Sequence, residues 1–382
     1  MKTQNIVIIL VLLCFVLWVK EGIQGIYDRL MNSGATTTGK LTYFKFHEDF
    51  SRTNTWNSSL KLFKSVFSKH EIPHNNRFNT SNIIFFHLIV NYIQLKRIVQ
   101  QNRHVKFIYS LLCIDRLASK SELAMVLRSN LTQDEYTRFM PNTYALPTDQ
   151  KRLENDFDPS KTYILKKNLQ RQKGCLITNN KSDIIESNIR KNQFVVCQEL
   201  LKDPYCINGH KINVRRYLLI IIKELPELFV YNEGFMYYAP KKYSKDSLSQ
   251  DVHITTGYVD RKIYEMNPLT YSEFSQTLNE TDAKHLDMNM LDLFTKLKDS
   301  YSDILVKEDG QNKHQTNFMI CGCDIAVDKH LGCKLMEINK GPDLSGKDAI
   351  DTQIKTNLIE DSLKRTGILP WDNPIDNFVM IK

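Results

Sequence analysis

The stretch from Phe318 to Pro342, FMICGCDIAVDKHLGCKLMEINKGP, holds two short apolar runs, each ending in oxygen-bearing side chains, with a polar turn between them. Apolar runs of this length bounded by turn residues read as buried strands, and Asp328 to Gly332 closes them into a hairpin. Side chains alternate along a strand, so Glu337 and Asn339 share a face, and Asp324 at the end of the first strand falls beside them. Two carboxylates and an amide are hard oxygen ligands. They suit magnesium, which is held by one or two carboxylates while a nucleotide's phosphates and water fill its other positions. The same residues also suit a solvated hairpin with ordinary surface acids, and the rest of the chain decides between the two.

A chain of 382 residues is long enough for roughly two to three domains, and 42% hydrophobic residues supply a packed core, which excludes a disordered chain. The formal net charge of +8 predicts attraction to acidic partners. That concerns encounter, not chemistry. The basic residues are scattered, with no zinc-finger spacing and no RNA-binding aromatic signature, so no nucleic-acid partner is expected.

At the N-terminus, Ile6 to Val19 is an unbroken apolar run of fourteen residues between Lys2 and Lys20. Such a run is short for a membrane span and typical of a signal peptide's apolar core, but KEGIQGIYDRL after it offers only a weak cleavage site. The expectation is a single-pass signal anchor over residues 1–24, with Trp18 at the interface and flanking lysines snorkelling. A cleaved signal with secretion, or a buried core helix, are the alternatives. Residues 25–41 read as a polar linker. The eight cysteines, at 14, 113, 175, 197, 206, 321, 323 and 333, form no CxxC pair and read as small buried hydrophobes of a reducing compartment. Five Asn-x-Ser/Thr sequons, at Asn57, Asn79, Asn130, Asn180 and Asn279, point weakly the other way. The body is therefore expected on the cytosolic side, where nucleotide is plentiful.

Residues 42–110 read as a small α/β domain, with Ile83 to Ile98 fitting a helix. Ser119 with Glu122 three residues on is a helix start with the capping-box pattern. FMPNTYALP at 139–147 reads as extended because each of its prolines restricts the residue before it. Residues 148–160 read as a helix and YILKK at 163–167 as a strand. QFVVCQEL at 193–200, RRYLLIIIK at 215–223, LFVYN at 228–232 and FMYYA at 235–239 are β-branched or aromatic runs, and NEG at 232–234 reads as a tight turn joining the last two. Leu286 to Leu305 and Asp351 to Leu363 carry helical spacing. The expected class is α/β (α+β).

Six segments in order, FMPNTYALP, YILKKNLQRQKGCLI, VVCQELLKDPYCINGHKINVRRYLLII, NEGFMYYAPKKY, VHITTGY and the pair FMICGCD with KLMEIN, give the chain from about Leu112 to Leu363 its resemblance to the tubulin-tyrosine ligase family. The resemblance implies an ATP-grasp fold, with a central subdomain over 111–192 and a C-terminal subdomain over 193–382 carrying the nucleotide and metal site. It implies that Lys166 and the basic loop with Lys173 reach the nucleotide phosphates, and that Gln198, Glu199, Leu200 and Leu201 form the hinge that holds adenine. Lys211, Asn213 and Arg215 share one strand face by alternation; the resemblance makes Lys211 and Arg215 nucleotide- and substrate-contacting residues. Asp324, Glu337 and Asn339 fall on the family's magnesium set.

The implied reaction is ATP-dependent joining of a free amino acid to a protein carboxylate through an acylphosphate, on tubulin or another acidic protein. The chain departs from the family's pattern at several places. Asn213 stands where an Asp is usual, Tyr237 where an Arg is usual and Thr256 where an Asn is usual; Lys167 replaces a proline, and the phosphate loop keeps only Arg171 and Gln172 of its arginine-glycine pair. These departures imply a slower ligase, with a membrane-tethered ATP-binding module, or a carboxylate-amine ligase with a non-tubulin acceptor, as the alternatives.

Overall fold

The computed structural model describes residues 41–45, 55–75, 81–85, 105–167, 174–255, 260–310, 315–371 and 376–382. Among them the strands in chain order are β1 (Tyr43–Lys45), β2 (Ile83–Phe85), β3 (Phe107–Tyr109), β4 (Thr143–Ala145), β5 (Tyr163–Lys167), β6 (Cys175–Thr178), β7 (Phe194–Glu199), β8 (Cys206–Ile207), β9 (His210–Ile222), β10 (Pro226–Tyr238), β11 (Thr316–Val327), β12 (Cys333–Asn339) and β13 (Phe378–Met380). The fold is mixed α/β, built on two sheets. The larger runs β1-β2-β3-β11-β9-β10-β13, with β12 added to β11 and β8 to β9; the smaller runs β4-β7-β5-β6.

β9 is the spine of the larger sheet because its apolar run, Tyr217 to Ile222, has antiparallel partners on both sides, and every residue after His210 is buried. A β-branched run of this length can be buried on both faces only in a sheet covered by helices. One face is covered by the helix Glu280–Glu308, whose Leu286, Met290, Leu293, Leu297, Tyr301 and Leu305 recur at helical spacing and are all buried. Its start is capped by Asn279, whose side chain accepts from the Asp282 N–H. The helix Ala349–Thr366 packs against β11 and is stopped by Gly367 in the left-handed region. The smaller sheet has its own core, including Tyr144, Tyr163, Leu165, Phe194 and Cys197. The helix Lys120–Asn130 touches β4, β7 and β12 and so bridges the two sheets.

Several sequence expectations need correction. LFVYN and FMYYA are one strand, β10, not a hairpin turned at 232–234; the turn lies at residues 223–225. Val230 pairs with Leu218 and Gly234 with Arg216, so Tyr231, Asn232 and Glu233 bulge opposite Tyr217 alone. Gly234 permits this close approach, since a Cβ there would lie 2.2 Å from the Arg215 carbonyl oxygen. The expected helix over Ile83 to Ile98 begins as a strand: Ile83 to Phe85 pair in parallel with β1 and β3, a β-branched and aromatic triplet with Ile83 fully buried. The remainder of that segment lies outside the described residues. At Ser119 only half of the capping box forms: its hydroxyl accepts from the Glu122 N–H, whereas the Glu122 carboxylate pairs with Arg116.

The expected single-pass membrane placement also needs correction. No helix among the described residues is long and apolar enough to cross a membrane, and Ile6 to Val19, on which the expectation rested, lies outside them. All seven cysteines within the described residues are free thiols.

Candidate functional site

The register of the larger sheet gathers the polar residues on one face. Lys211, Asn213, Arg215 and Tyr217 alternate along β9; Arg215 lies opposite Asp324 of β11, and Asn213 opposite Tyr237 of β10. Asp324 in turn pairs with Glu337, and Gly322 with Asn339. The partner of β11 then jumps from Glu337 to Leu335, leaving Met336 as an extra residue. That bulge reverses the alternation, so Leu335 and Ile338 both reach the core while Glu337 and Asn339 face the polar cluster. Gly322 leaves a passage for the guanidinium, because a Cβ there would come within 2.9 Å of both Arg215 Nη1 and the Pro342 ring.

Arg215 and Asp324 form a buried two-point ion pair, Nε to Oδ1 at 2.5 Å and Nη2 to Oδ2 at 2.9 Å. Burial alone disfavours the Arg215 charge, but Asp324 outweighs it and holds the guanidinium firmly protonated. The Asp324 carboxyl is pushed up to about 6, chiefly by burial, with the neighbouring Glu337 adding to the effect against the pull of Arg215. Glu337 lies at the edge of the cleft; desolvation raises its pKa, yet Lys120 and Lys166 outweigh that and hold it down at about 2. Lys120 Nζ sits 3.6 Å from Glu337 Oε2. The Asn339 side-chain nitrogen stands 3.4 Å from Asp324 Oδ2 and 3.3 Å from Glu337 Oε1.

The opposing wall comes from the smaller sheet. Lys166 on β5 donates to Gln198 Oε1 at 2.9 Å, and Gln198 donates to Thr143 Oγ1 at 2.9 Å. Burial depresses the Lys166 ammonium, with Glu337 opposing that. Lys211 is more isolated: it is 3% exposed, its ammonium has no hydrogen-bond or ion-pair partner among the described residues, and burial with help from Lys166 lowers it to about 8. Two desolvated ammonium groups near one another are costly unless an anion joins them. Along the hinge, the N–H of Glu199 bonds to Asn142 and that of Leu200 to Thr162, so neither is free to read a base edge. The N–H of Leu201 has no partner among the described residues. The Glu199 carboxylate is taken by Lys161 and Asn142.

The structure thus brings Lys166, Gln198, Lys211, Asn213, Arg215, Asp324, Glu337 and Asn339 into one cleft; Lys173 and Thr256 lie outside the described residues. Sequence reasoning missed Lys120, which carries no motif and enters only through the packing of its helix. It also missed Tyr217, which the alternation from Arg215 marks. Tyr237 lies against the arginine, with the Arg215 guanidinium 5.1 Å from its ring centroid.

The donor set fits magnesium. Asp324 and Glu337 are neighbouring carboxylates, and burial, with Glu337 adding to it, has pushed the Asp324 carboxyl up. Their unused lone pairs remain available beside the Arg215 contact, and turning the Asn339 amide about its last bond would present its oxygen. No cluster of three His, Cys, Asp or Glu exists among the described residues, so a magnesium ion here would need its remaining ligands from phosphate and water.

A family model for the tubulin-tyrosine ligase family matches residues 94–375. The chain is 26% identical over 356 residues to tubulin polyglutamylase ttll-5 of Caenorhabditis elegans, covering 83% of this chain and 47% of that protein. It is 27% identical over 247 residues to human tubulin polyglutamylase TTLL6, covering 59% of this chain and 27% of that one. It is 24% identical over 252 residues to tubulin glycylase 3B of Drosophila melanogaster, covering 62% and 33%. The chain therefore spans half or less of the length of these relatives. Since the family model matches well over half of its residues, this chain belongs to the tubulin-tyrosine ligase family.

Proposed function

We propose that the chain is an ATP-grasp ligase that joins an amino acid to a protein carboxylate, with tubulin as the acceptor. The observation that carries this reading is the convergence of Lys120, Lys166, Lys211 and Arg215 with Asp324, Glu337 and Asn339 in one cleft between two sheets. Such a cleft is built for a polyanion together with a divalent cation. The relatives named above as tubulin polyglutamylases and a tubulin glycylase support tubulin as acceptor, with glutamate or glycine as the added amino acid.

In this reading the acceptor carboxylate takes the terminal phosphoryl group of ATP, giving an acylphosphate and ADP. The amine of the incoming amino acid attacks that carbonyl carbon, inorganic phosphate leaves, and the ammonium proton passes to solvent as the amide forms. Magnesium held by Asp324, Glu337 and Asn339 would neutralise charge on the transferring phosphate oxygens. Lys166 and Lys211 supply fixed cations for the phosphates. Arg215, locked by Asp324, presents its remaining donor edge toward the acceptor. The hinge residue Leu201, with Gln198 behind it, suits the adenine edge.

The test is incorporation of labelled glutamate or glycine into purified tubulin by the full chain, with ADP release measured in parallel. Transfer that disappears in Lys166→Met and Lys211→Met supports the ligase. A second reading, an ATP-binding module without transfer, is favoured by Tyr237 and Asn213; nucleotide binding without ADP release under any amino acid would select it.

A further inference from the structure

Alternation along β9 places Arg216 on the face opposite Arg215, away from the cleft. There it lines a cavity of about 520 Å³ between the sheet, the helix Tyr271–Gln276 and the helix Glu280–Glu308. Arg216 is 6% exposed. A guanidinium has five N–H donors, yet among the described residues they reach only the Tyr231 carbonyl at 2.9 Å and the Met290 sulfur at 4.0 Å, and Nε has no acceptor. The charge is covered on one side by the Tyr271 ring, whose centroid is 4.1 Å away. A cation this buried, without a carboxylate, is costly to hold.

The opposite charge stands at the mouth. Tyr271 spans the two ends: its ring contacts Arg216, and its hydroxyl donates to Asp287 Oδ1 at 2.5 Å. Asp287 is exposed. Between the two charges Val230, Met290, Leu291, Phe294 and Val379 make an apolar wall, and Asn232, Ser272, Ser275 and Gln276 line the remainder. Leu291 and Val379 remain 43% exposed at the rim. The cavity is of the size that takes small molecules, and it offers a desolvated cation in the floor, an anion at the entrance and a greasy wall.

We propose that this cavity is a second binding site, specific for a free α-amino acid with an apolar side chain. Its carboxylate meets the open donors of Arg216, its ammonium meets Asp287, and its side chain lies on Met290, Leu291 and Phe294. The site is on the other face of the sheet from the cleft and stands whether or not the ligase reading holds.

Calorimetric titration of the full chain with L-leucine, L-leucinamide and N-acetyl-L-leucine tests it. Leucine should bind saturably, with both derivatives at least about tenfold weaker because each lacks one of the two charges. Arg216→Met should abolish binding, Asp287→Asn should weaken it about tenfold, and Lys211→Met, in the cleft, should leave it unchanged. If Arg216→Met does not fold, Asp287→Asn at the exposed rim carries the comparison. No saturation up to about 10 mM leucine overturns the proposal. So does full binding in both variants, which would place leucine elsewhere, or binding of the acetylated derivative as tightly as leucine, which would mean a site for simple carboxylates.

Discussion

Replacing Lys211 by methionine should make the ligand-free protein more stable while making it a poorer binder of nucleotide. Lys211 is 3% exposed and its ammonium has no anionic partner among the described residues; burial, with Lys166 adding to it, lowers its pKa from 10.5 to about 8. The sign follows from proton counting. Between those two values the unfolded chain binds more protons than the folded one, so stability rises with pH across that window. The cost of the buried charge is full below about pH 8 and gone above about pH 10.5. Each pKa unit corresponds to about 1.4 kcal/mol, so the shift represents on the order of 3 kcal/mol at neutral pH. Methionine keeps most of the side-chain length and removes the charge, so Lys211→Met should gain up to about 3 kcal/mol at pH 7. Urea unfolding of wild type and variant, ligand-free, at pH 7 and near pH 10 reads this directly. The gap should be large at pH 7 and close at the higher pH. In the same variant the affinity for magnesium-ATP should fall at least about tenfold, because the phosphates lose the cation they were to neutralise. A variant no more stable than wild type at pH 7, with unchanged nucleotide binding, would refute the reasoning.

Other expectations are more local. Glu337→Gln should weaken magnesium-dependent ATP binding at least about tenfold and also lower ligand-free stability at neutral pH, because it removes the anion that Lys120 and Lys166 hold ionised; unchanged nucleotide binding by calorimetry in the folded variant removes Glu337 from the metal set. Gly234→Ala forces a Cβ to within 2.2 Å of the Arg215 carbonyl oxygen, and should cost about 2–3 kcal/mol in urea unfolding; a neutral result would mean that the β10 bulge relaxes freely. Tyr237→Arg combined with Asn213→Asp should raise amino-acid-dependent ADP release above wild type at saturating ATP, with little change in ATP affinity, because the restored cation acts on charge that develops in the transition state. Equal rates in wild type and double variant would show that this pair does not limit turnover.

Much of the fold was legible because the relevant signals are local. The apolar runs of β9 and β11 exceed what a surface strand could carry, and Glu337 and Asn339 share a face by simple parity. What stayed hidden depends on contacts remote in sequence. The bulge at Met336, on which the orientation of Glu337 relative to Leu335 depends, appears only in the pairing with β11. Gly234 reads as a turn glycine because glycine serves both turns and close approaches; the length of β9 opposite it decides for a bulge. Lys120 comes from a helix more than two hundred residues before Glu337, and no periodicity links them. The hinge at 199–201 reads as three available backbone groups, but Asn142 and Thr162 have already taken two of the N–H donors.

The departures at 213 and 237 look like two separate losses along the sequence, but they are cross-strand partners: Asn213 and Tyr237 pair directly in the β9–β10 register. The family resemblance implies a carboxylate and a guanidinium facing each other here, whereas this chain has an amide and a phenol. Relative to that implied pair, one negative and one positive charge are absent together, so the formal charge of the sheet face is the same. Partnering changes instead. Asn213 Oδ1 is buried with no donor among the described residues, and burial raises the pKa of the Tyr237 hydroxyl, so it stays neutral beside Arg215. Lys211, two residues from Asn213 on the same face, is depressed by burial with Lys166 adding to it. A single Tyr237→Arg substitution would set a second guanidinium against Arg215 where the nearby carboxylates Asp324 and Asp351 are already paired with Arg215 and Lys355, and should destabilise the cleft. The double variant restores the pair as a unit, and comparing it with the two single variants in a double-mutant cycle measures that coupling.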